Sequence, residues 1–267
     1  MNRLKIALLA GGDSSEREIA LQSAQQIASV LDSAKYDVKV IDLHHRNMTY
    51  TDANGVQWEV DKNDFSLTVA GEKTVFEYAL IIIHGTPGED GKLQGYLDIM
   101  GIPYSSCSQT SSAITFDKIS TKRAVASVLI EECIVGREMG CGVVVTSDRE
   151  ILLPITEIVS KRDFFDFEAK YTVGLSDEIT PAPISEDIRL KLNRMTLEAY
   201  RACRCSGIVR IDFIVTEAGE PYMIEINSIP GMSSGSIVPK QVREAGMTLG
   251  ELYDIVIEDS LKRFRKH

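Results

Sequence analysis

Two short runs in the last quarter of the chain leave it few ways to fold. Gly207 to Val215 and Pro221 to Glu225 read as paired β-strands, joined by the turn signal Glu217-Ala218-Gly219-Glu220. Side chains alternate faces along a strand. Arg210 and Asp212 therefore share one face, with Ile211 and Phe213 behind. Glu225 and Asn227 share a face in the same way, opposite Ile224 and Ile226. Pairing the runs places an arginine, two carboxylates and an amide on one surface of an aliphatic-backed sheet. A merely solvated face would intersperse Lys with Glu. It would not need Asn227-Ser228-Ile229-Pro230-Gly231, which ends the strand and turns the backbone across the polar face, with glycine where a ligand can approach closely. Three oxygen donors with open positions suit Mg²⁺, which keeps few protein ligands. The arginine is a fixed cation able to stabilise a transferring phosphoryl group or a tetrahedral intermediate.

The N-terminal part reads differently. Ile6 to Ala10, Val38 to Leu43 and Tyr78 to Ile83 are short apolar runs of the kind buried on both faces of a parallel sheet. Helical stretches alternate with them, from Ser15 to about Leu31 and from Gly91 to Met100. Ser15 and Glu18 carry a capping-box pattern. Residues 44–75 are polar and read as a hairpin carrying Trp58, and Ile102-Pro103-Tyr104 as a short strand end. Beyond these the sequence predicts a helix over 108–127 with a Ser-rich start and a strand over Val128 to Glu132. Antiparallel strands follow over Met139 to Val145 and Glu150 to Val159, then an amphipathic helix over Ser185 to Cys203 and a closing helix over Thr248 to Arg263. The fold class expected is α/β, becoming α+β in the C-terminal part. Residues 1–106 form a Rossmann-like domain, 107–160 a central domain and 161–267 a C-terminal domain.

Composition limits the function classes. The chain has 267 residues, 44% hydrophobic and 25% charged, which is ordinary for a soluble globular protein. A net charge of −10 argues against nonspecific nucleic-acid binding, which needs a broad basic surface. Local Lys and Arg can still bind an anionic substrate. Lys262-Arg263-Phe264-Arg265-Lys266 reads as a cationic helix end. The five scattered cysteines, Cys107, Cys133, Cys141, Cys203 and Cys205, read as reduced thiols rather than a disulfide framework. Cys203 and Cys205 are too close in sequence for a typical zinc pair. The first apolar run is too short for a secretion signal or a membrane span, so the cytoplasm is expected and no membrane partner.

Several motifs now fall into order along nearly the whole chain. They are Gly11-Gly12-Asp13-Ser14-Ser15-Glu16-Arg17-Glu18; His84-Gly85-Thr86-Pro87-Gly88-Glu89-Asp90-Gly91; the segment ending in Asp117-Lys118; Gly136-Arg137-Glu138; Phe165-Asp166-Phe167-Glu168-Ala169-Lys170-Tyr171; and the polar strand pair with its Pro-Gly-Met turn. Together they resemble the D-alanine–D-alanine ligases of the ATP-grasp superfamily. The resemblance implies an ATP-grasp fold whose N-terminal Rossmann-like domain helps bind substrate. It implies ATP as co-substrate and two D-alanines joined through an acyl phosphate, for cell-wall peptidoglycan precursors. Asp212, Glu225 and Asn227 would hold two Mg²⁺ ions, or Mn²⁺ in their place. Arg210 and the Gly231 backbone would stabilise the oxyanion. Glu16 would meet the first D-alanine's ammonium, His84 would orient a carboxylate, and Ser236 would bind the second D-alanine's carboxylate. Lys118 and Lys170 would contact phosphates, Glu131 and Glu132 would lie at the adenine hinge, and Glu138 would take the ribose hydroxyls. Tyr171 stands where the related D-alanine–D-lactate ligases have Phe, which favours an amine as second substrate. A homodimer is expected on the same ground.

The pattern breaks at one place. Ser127 is followed directly by Val128, where the family has a strand with a Lys-Pro dipeptide and a Gly-Ser-Ser phosphate loop. The missing stretch is roughly 50–60 residues, judged against a typical domain. A true deletion would leave a crippled phosphate site and favour a noncatalytic nucleotide-binding protein. The other reading is that a segment of the natural chain is absent from this sequence. Intact catalytic residues on both flanks favour the second, because a true deletion would strip a sheet of its neighbours. A D-alanine–D-lactate ligase, or another ATP-grasp carboxylate–amine ligase, is the alternative activity.

Overall fold

The computed structural model describes residues 3–117, 134–160 and 176–265. Strand β1 (Leu4–Gly11) runs parallel to both β2 (Tyr36–His44) and β7 (Tyr78–Ile81). Its aliphatic run is buried on both faces, as a central parallel strand requires. Helix α1 (Arg17–Val30) makes the crossover from β1 to β2.

A doubly wound unit would return from β2 to β7 through a second helix. Here the polar residues 44–75, expected as one hairpin, form four antiparallel strands instead: β3 (Asn47–Thr51), β4 (Gln57–Asp61), β5 (Ser66–Val69) and β6 (Glu72–Val75). They extend the sheet to seven strands in the order β6-β5-β4-β3-β2-β1-β7. Helix α2 (Lys92–Met100) packs Leu93 and Leu97 beneath this sheet, and Tyr104 adds one parallel bridge to Ala79.

The expected capping box at Ser15 and Glu18 does not form. Glu16 occupies the cap of α1 without a side-chain bond to the helix. Ser14 instead accepts from the Glu16 N–H at 3.2 Å and donates to the His84 carbonyl at 2.9 Å, so the serine hydroxyl ties two strand ends together.

Helix α3 (Gln109–Phe116) starts on Ser108, whose hydroxyl accepts from Ser111 N. Asp117 is already extended, so the helix expected to Ser127 stops earlier in the described chain. The second sheet holds β8 (Arg137–Val145), β9 (Glu150–Leu152), β10 (Thr156–Ser160), β11 (Ser176–Ile179), β12 (Ile208–Val215) and β13 (Pro221–Asn227), in the order β11-β10-β8-β12-β13 with β9 also on β8. The single strand expected over Glu150 to Val159 is therefore two, both antiparallel to β8, with Pro154 between them. Helix α4 (Glu186–Ala202), capped by Ser185, packs Leu192, Ala199 and Tyr200 on the back of this sheet. Strand β11 and helix α5 (Ile237–Glu244) were not expected from the sequence.

The last helix, α6 (Leu249–Phe264), starts with a complete capping box between Thr248 and Glu251. It packs Leu252, Tyr253, Val256 and Ile257 against Ile6, Leu8 and the α1 residues Ala24 and Ile27. Tyr78 and Ser260 share a buried hydroxyl–hydroxyl bond of 2.6 Å across that contact. Among the described residues no helix is long and apolar enough to cross a membrane. The four described cysteines are free thiols, and Cys133 lies outside the described residues.

The two sheets meet along a seam between residues 105–107 and 204–207. Ser206 donates its hydroxyl to the Ser106 carbonyl at 3.0 Å, Cys107 donates to the Ser206 carbonyl at 3.3 Å, and Ser111 donates to the Arg204 carbonyl at 2.8 Å. Gly207 sits in the seam at φ +75°, where an added Cβ would lie 2.1 Å from the Ser105 oxygen. Gly207→Ala should therefore lower stability by about 2–4 kcal/mol, from left-handed strain plus overpacking. Urea unfolding is the measurement, and an unchanged midpoint would contradict the seam's tight packing.

Candidate functional site

The site is built on β12 and β13. Their register sets Arg210 opposite Asn227 and Asp212 opposite Glu225, with a bulge just after Asp212. The four side chains share one face, as the alternation predicts, while Ile211, Phe213 and Ile226 are buried behind. Arg210 reaches along its own strand to grip Asp212 with two bonds, Nε to Oδ1 and Nη2 to Oδ2, each 2.8 Å. Asp212 is 3% exposed. A carboxylate that buried needs a partner, and the bidentate guanidinium supplies it. The amide orientation that satisfies both neighbours of Asn227 has it accepting from Arg210 Nη2 at 3.0 Å and donating to Glu89 Oε1 at 3.2 Å.

The floor beside these residues is bare backbone. Gly140 of β8 faces Asp212, and Gly142 faces Arg210. A Cβ on Gly140 would stand 3.4 Å from Asp212 Oδ1, and one on Gly142 only 2.4 Å from Gln241 Oε1. Gln241 of α5 donates to the Gly140 carbonyl at 2.8 Å, so the glycines let that helix lie close over the strand. The sequence reading missed both glycines. The signal was there, since glycine at alternate strand positions marks close approach of another backbone or a ligand. Glu138 lies two residues before Gly140 on the same face, in register with Ile214 and Ile158. At the far edge of the face Lys240 of α5 pairs with Glu178 of β11 at 2.7 Å.

The facing wall comes from the first sheet. Glu16 and His84 leave the C-terminal ends of the parallel strands β1 and β7, which is where open α/β sheets bind ligands. Ser14 links them. His84 is 5% exposed, and its Nε2 has no hydrogen-bond partner among the described residues. Burial holds its pKa below the ordinary imidazole range, against the opposing pull of the Glu16 charge and of a hydrogen bond to the Ile229 backbone. Glu89, not singled out from the sequence, accepts from Gly85 N at 2.6 Å and receives the Asn227 amide. Burial pushes its carboxyl up to about 7. The Asn227–Glu89 bond and the His84–Ile229 contact therefore join the wall to the polar face. After Ile229 the turn carries Met232 N to Ser23 Oγ at 3.4 Å. Ser236, at the start of α5, shares a 2.8 Å hydroxyl contact with Ser233, and a Cβ on Gly231 would come 2.9 Å from Ser236 Oγ.

Nine expected site residues are thus described: Glu16, His84, Glu138, Arg210, Asp212, Glu225, Asn227, Gly231 and Ser236. The other five, Lys118, Glu131, Glu132, Lys170 and Tyr171, lie outside the described residues, as do the strand expected from Val128 and the Ser127–Val128 junction. The donor set of Asp212, Glu225 and Asn227 is all oxygen on one face, which fits Mg²⁺.

Comparison with known proteins points to one family. A family model described as the N-terminus of D-ala D-ala ligase matches residues 5–107, and one described as its C-terminus matches residues 109–258. The chain is 36% identical to the D-alanine–D-alanine ligase of Azobacteroides pseudotrichonymphae, in an alignment covering 95% of this chain and 98% of that one. It is 34% identical to the enzyme of the same name from Bacteroides fragilis strain YCH46, with the same coverage. Its fold matches a D-alanine–D-alanine ligase from Bacillus anthracis complexed with ATP, at 25% identity and a TM-score of 0.75, covering 100% of this chain and 99% of that one. The first of these alignments spans 319 positions against 267 residues here, so at least 52 positions hold no residue of this chain.

The buried neutral imidazole has a measurable consequence. A histidine whose folded pKa is depressed contributes stability that is present above its unfolded value of 6.5 and lost as pH falls below it. The melting temperature of the unaltered chain should fall more steeply from pH 7 to pH 5 than that of His84→Asn. Parallel slopes would show that His84 is not held neutral by the fold.

Proposed function

This chain belongs to the D-alanine–D-alanine ligase family, and from that premise we propose that it joins two D-alanines with ATP to give D-alanyl-D-alanine for peptidoglycan synthesis. The observation that carries the reading is the facing of two unlike surfaces. The polar face of β12 and β13 is bonded through Asn227 to Glu89, on the wall that also presents Glu16 and His84. ATP phosphates beside one surface and an amino acid held by the other would meet at a short distance, which is most of what phosphoryl transfer asks of a protein.

In the first step the carboxylate of one D-alanine attacks the γ-phosphorus, giving an acyl phosphate and ADP. In the second the amine of the other D-alanine attacks the acyl carbon, and phosphate leaves. Glu16 binds the first ammonium and His84 orients the adjoining carboxylate. Arg210 and the Gly231 N–H stabilise the oxyanion of the tetrahedral intermediate. Ser236 receives the carboxylate of the second D-alanine. Lys118 and Lys170 contact phosphate, Glu131 and Glu132 border the adenine, Glu138 takes the ribose, and Tyr171 favours an amine over a hydroxy acid. Two Mg²⁺ ions would be held by Asp212, Glu225 and Asn227, where they would offset charge on the phosphate oxygens. The division into domains at 106/107 and 160/161, the cytoplasmic location and the homodimer remain parts of this proposal.

The reading is tested by phosphate release. Asp212→Asn should abolish D-alanine-dependent release while keeping a native circular dichroism spectrum, and retained turnover would overturn the metal assignment. Glu16→Gln should raise the KM for the first D-alanine by on the order of tenfold or more, since it removes a charged contact. No ADP formation either with or without D-alanine would instead favour the noncatalytic reading. D-lactate outcompeting D-alanine at neutral pH would favour the D-lactate alternative.

A further inference from the structure

A second group of ligating side chains stands outside the site above, on the same rim of the first sheet. Asp13 follows the Gly11-Gly12 turn at the end of β1, and beside it His44 ends β2 with His45 next in the chain. One ligand atom from each of the three lies within 4.8 Å of the others. His45 Nδ1 is 3.4 Å from Asp13 Oδ1. That is long for an N–H···O bond, but it is about the separation of two ligands that each lie about 2.1 Å from a tetrahedral zinc. The carboxylate is also oriented, since the His45 backbone N–H donates to Asp13 Oδ1 at 2.8 Å. Metal-ligating carboxylates are commonly held by such outer bonds.

The backbone supplies an independent observation. His44 pairs with Asn47, so His45 and Arg46 are the two central residues of the β2–β3 hairpin. Both have positive φ, +47° and +77°. That turn favours Asn-Gly, because left-handed backbone strains other side chains. Consecutive residues on a strand point to opposite faces. The left-handed conformation at His45 instead brings its ring to 4.0 Å from that of His44, tilted by 31°. Strain of this kind tends to gather where a ligand is held.

We propose that Asp13, His44 and His45 form a binding site for a borderline divalent metal, Zn²⁺ by preference, with water completing the shell. Two imidazoles and one carboxylate suit zinc, copper or nickel, whereas magnesium prefers oxygen alone. The site is separate from the face of β12 and β13, and the proposal does not rest on the ligase reading. Asp13 N is bonded to the Thr86 carbonyl at 3.2 Å, so a metal here would tie the loop before Glu16 to the hairpin.

The test is calorimetric titration of the full chain with zinc chloride in excess magnesium chloride. One equivalent should bind to the unaltered chain and to Asp212→Asn. The double substitution His44→Ala/His45→Ala should remove the binding, and Asp13→Asn should weaken it by on the order of tenfold or more. All three positions are exposed, so these variants should keep the melting temperature of the metal-free chain. Zinc bound undiminished by the double variant, or no zinc bound by the unaltered chain, would overturn the site. With Cu²⁺ in place of zinc, an electron paramagnetic resonance spectrum showing coupling to two imidazole nitrogens supports it, and one without nitrogen coupling counts against it.

Discussion

The seam between residues 105–107 and 204–207 is the constraint on which the rest of the molecule depends. The site is divided between two sheets, and neither holds enough of it alone. Short bonds from Ser206, Cys107 and Ser111 to facing backbone carbonyls, with Gly207 closed to any side chain, fix one sheet against the other. From that fixed relation the ends of β1 and β7 come to face the polar side of β12 and β13. A shift of about an ångström here would separate Asn227 from Glu89 and His84 from Ile229, and misplacements of that size can cost about a hundredfold in rate.

Inside the site, charge argues for cations arriving with the nucleotide. The described walls present Glu16, Glu89, Asp212, Glu225, Glu138 and Glu178 against Arg210 and Lys240. Arg210 is committed to Asp212, and Lys240 to Glu178. A polyphosphate entering without counter-ions would meet net negative charge in a partly buried space, where repulsion is weakly screened. On the proposed reading, the oxygen donors of Asp212, Glu225 and Asn227 would take up such ions. Burial raises the Glu89 carboxyl, and the nearby charges of Glu16 and Glu225 add to it.

How much of this was legible in the sequence depended on which physical rule wrote each part. The strand pair could be read residue by residue because period-two alternation is strict, and Arg210, Asp212, Glu225 and Asn227 emerged on one face. The parallel strands were equally plain, as unbroken aliphatic runs. The polar residues 44–75 were not, because short edge strands carry weak alternation and bury little. Helix α5 escaped notice because it spans only eight residues and carries Pro239 in its first turn, where proline is tolerated. The capping pattern at Ser15 and Glu18 misled, since a local signal lost to the tertiary bond of Ser14 with His84. Gly140 and Gly142 were missed because their function is to be absent as side chains. Glu89 was missed because its partner, Asn227, is remote in sequence.

Helix α6 has a consequence for how the protein comes into being. Its apolar side is the cover for one face of β1, and Tyr78 closes on Ser260 across the same contact. During vectorial synthesis Ile6 and Leu8 emerge long before Leu252 and Val256, the α6 residues that pack against them. Early emergence and late completion would make the nascent chain a natural client for chaperones. For the same reason helix α6 is a poor place to cut, because its loss would uncover Ile6 and Leu8 of β1.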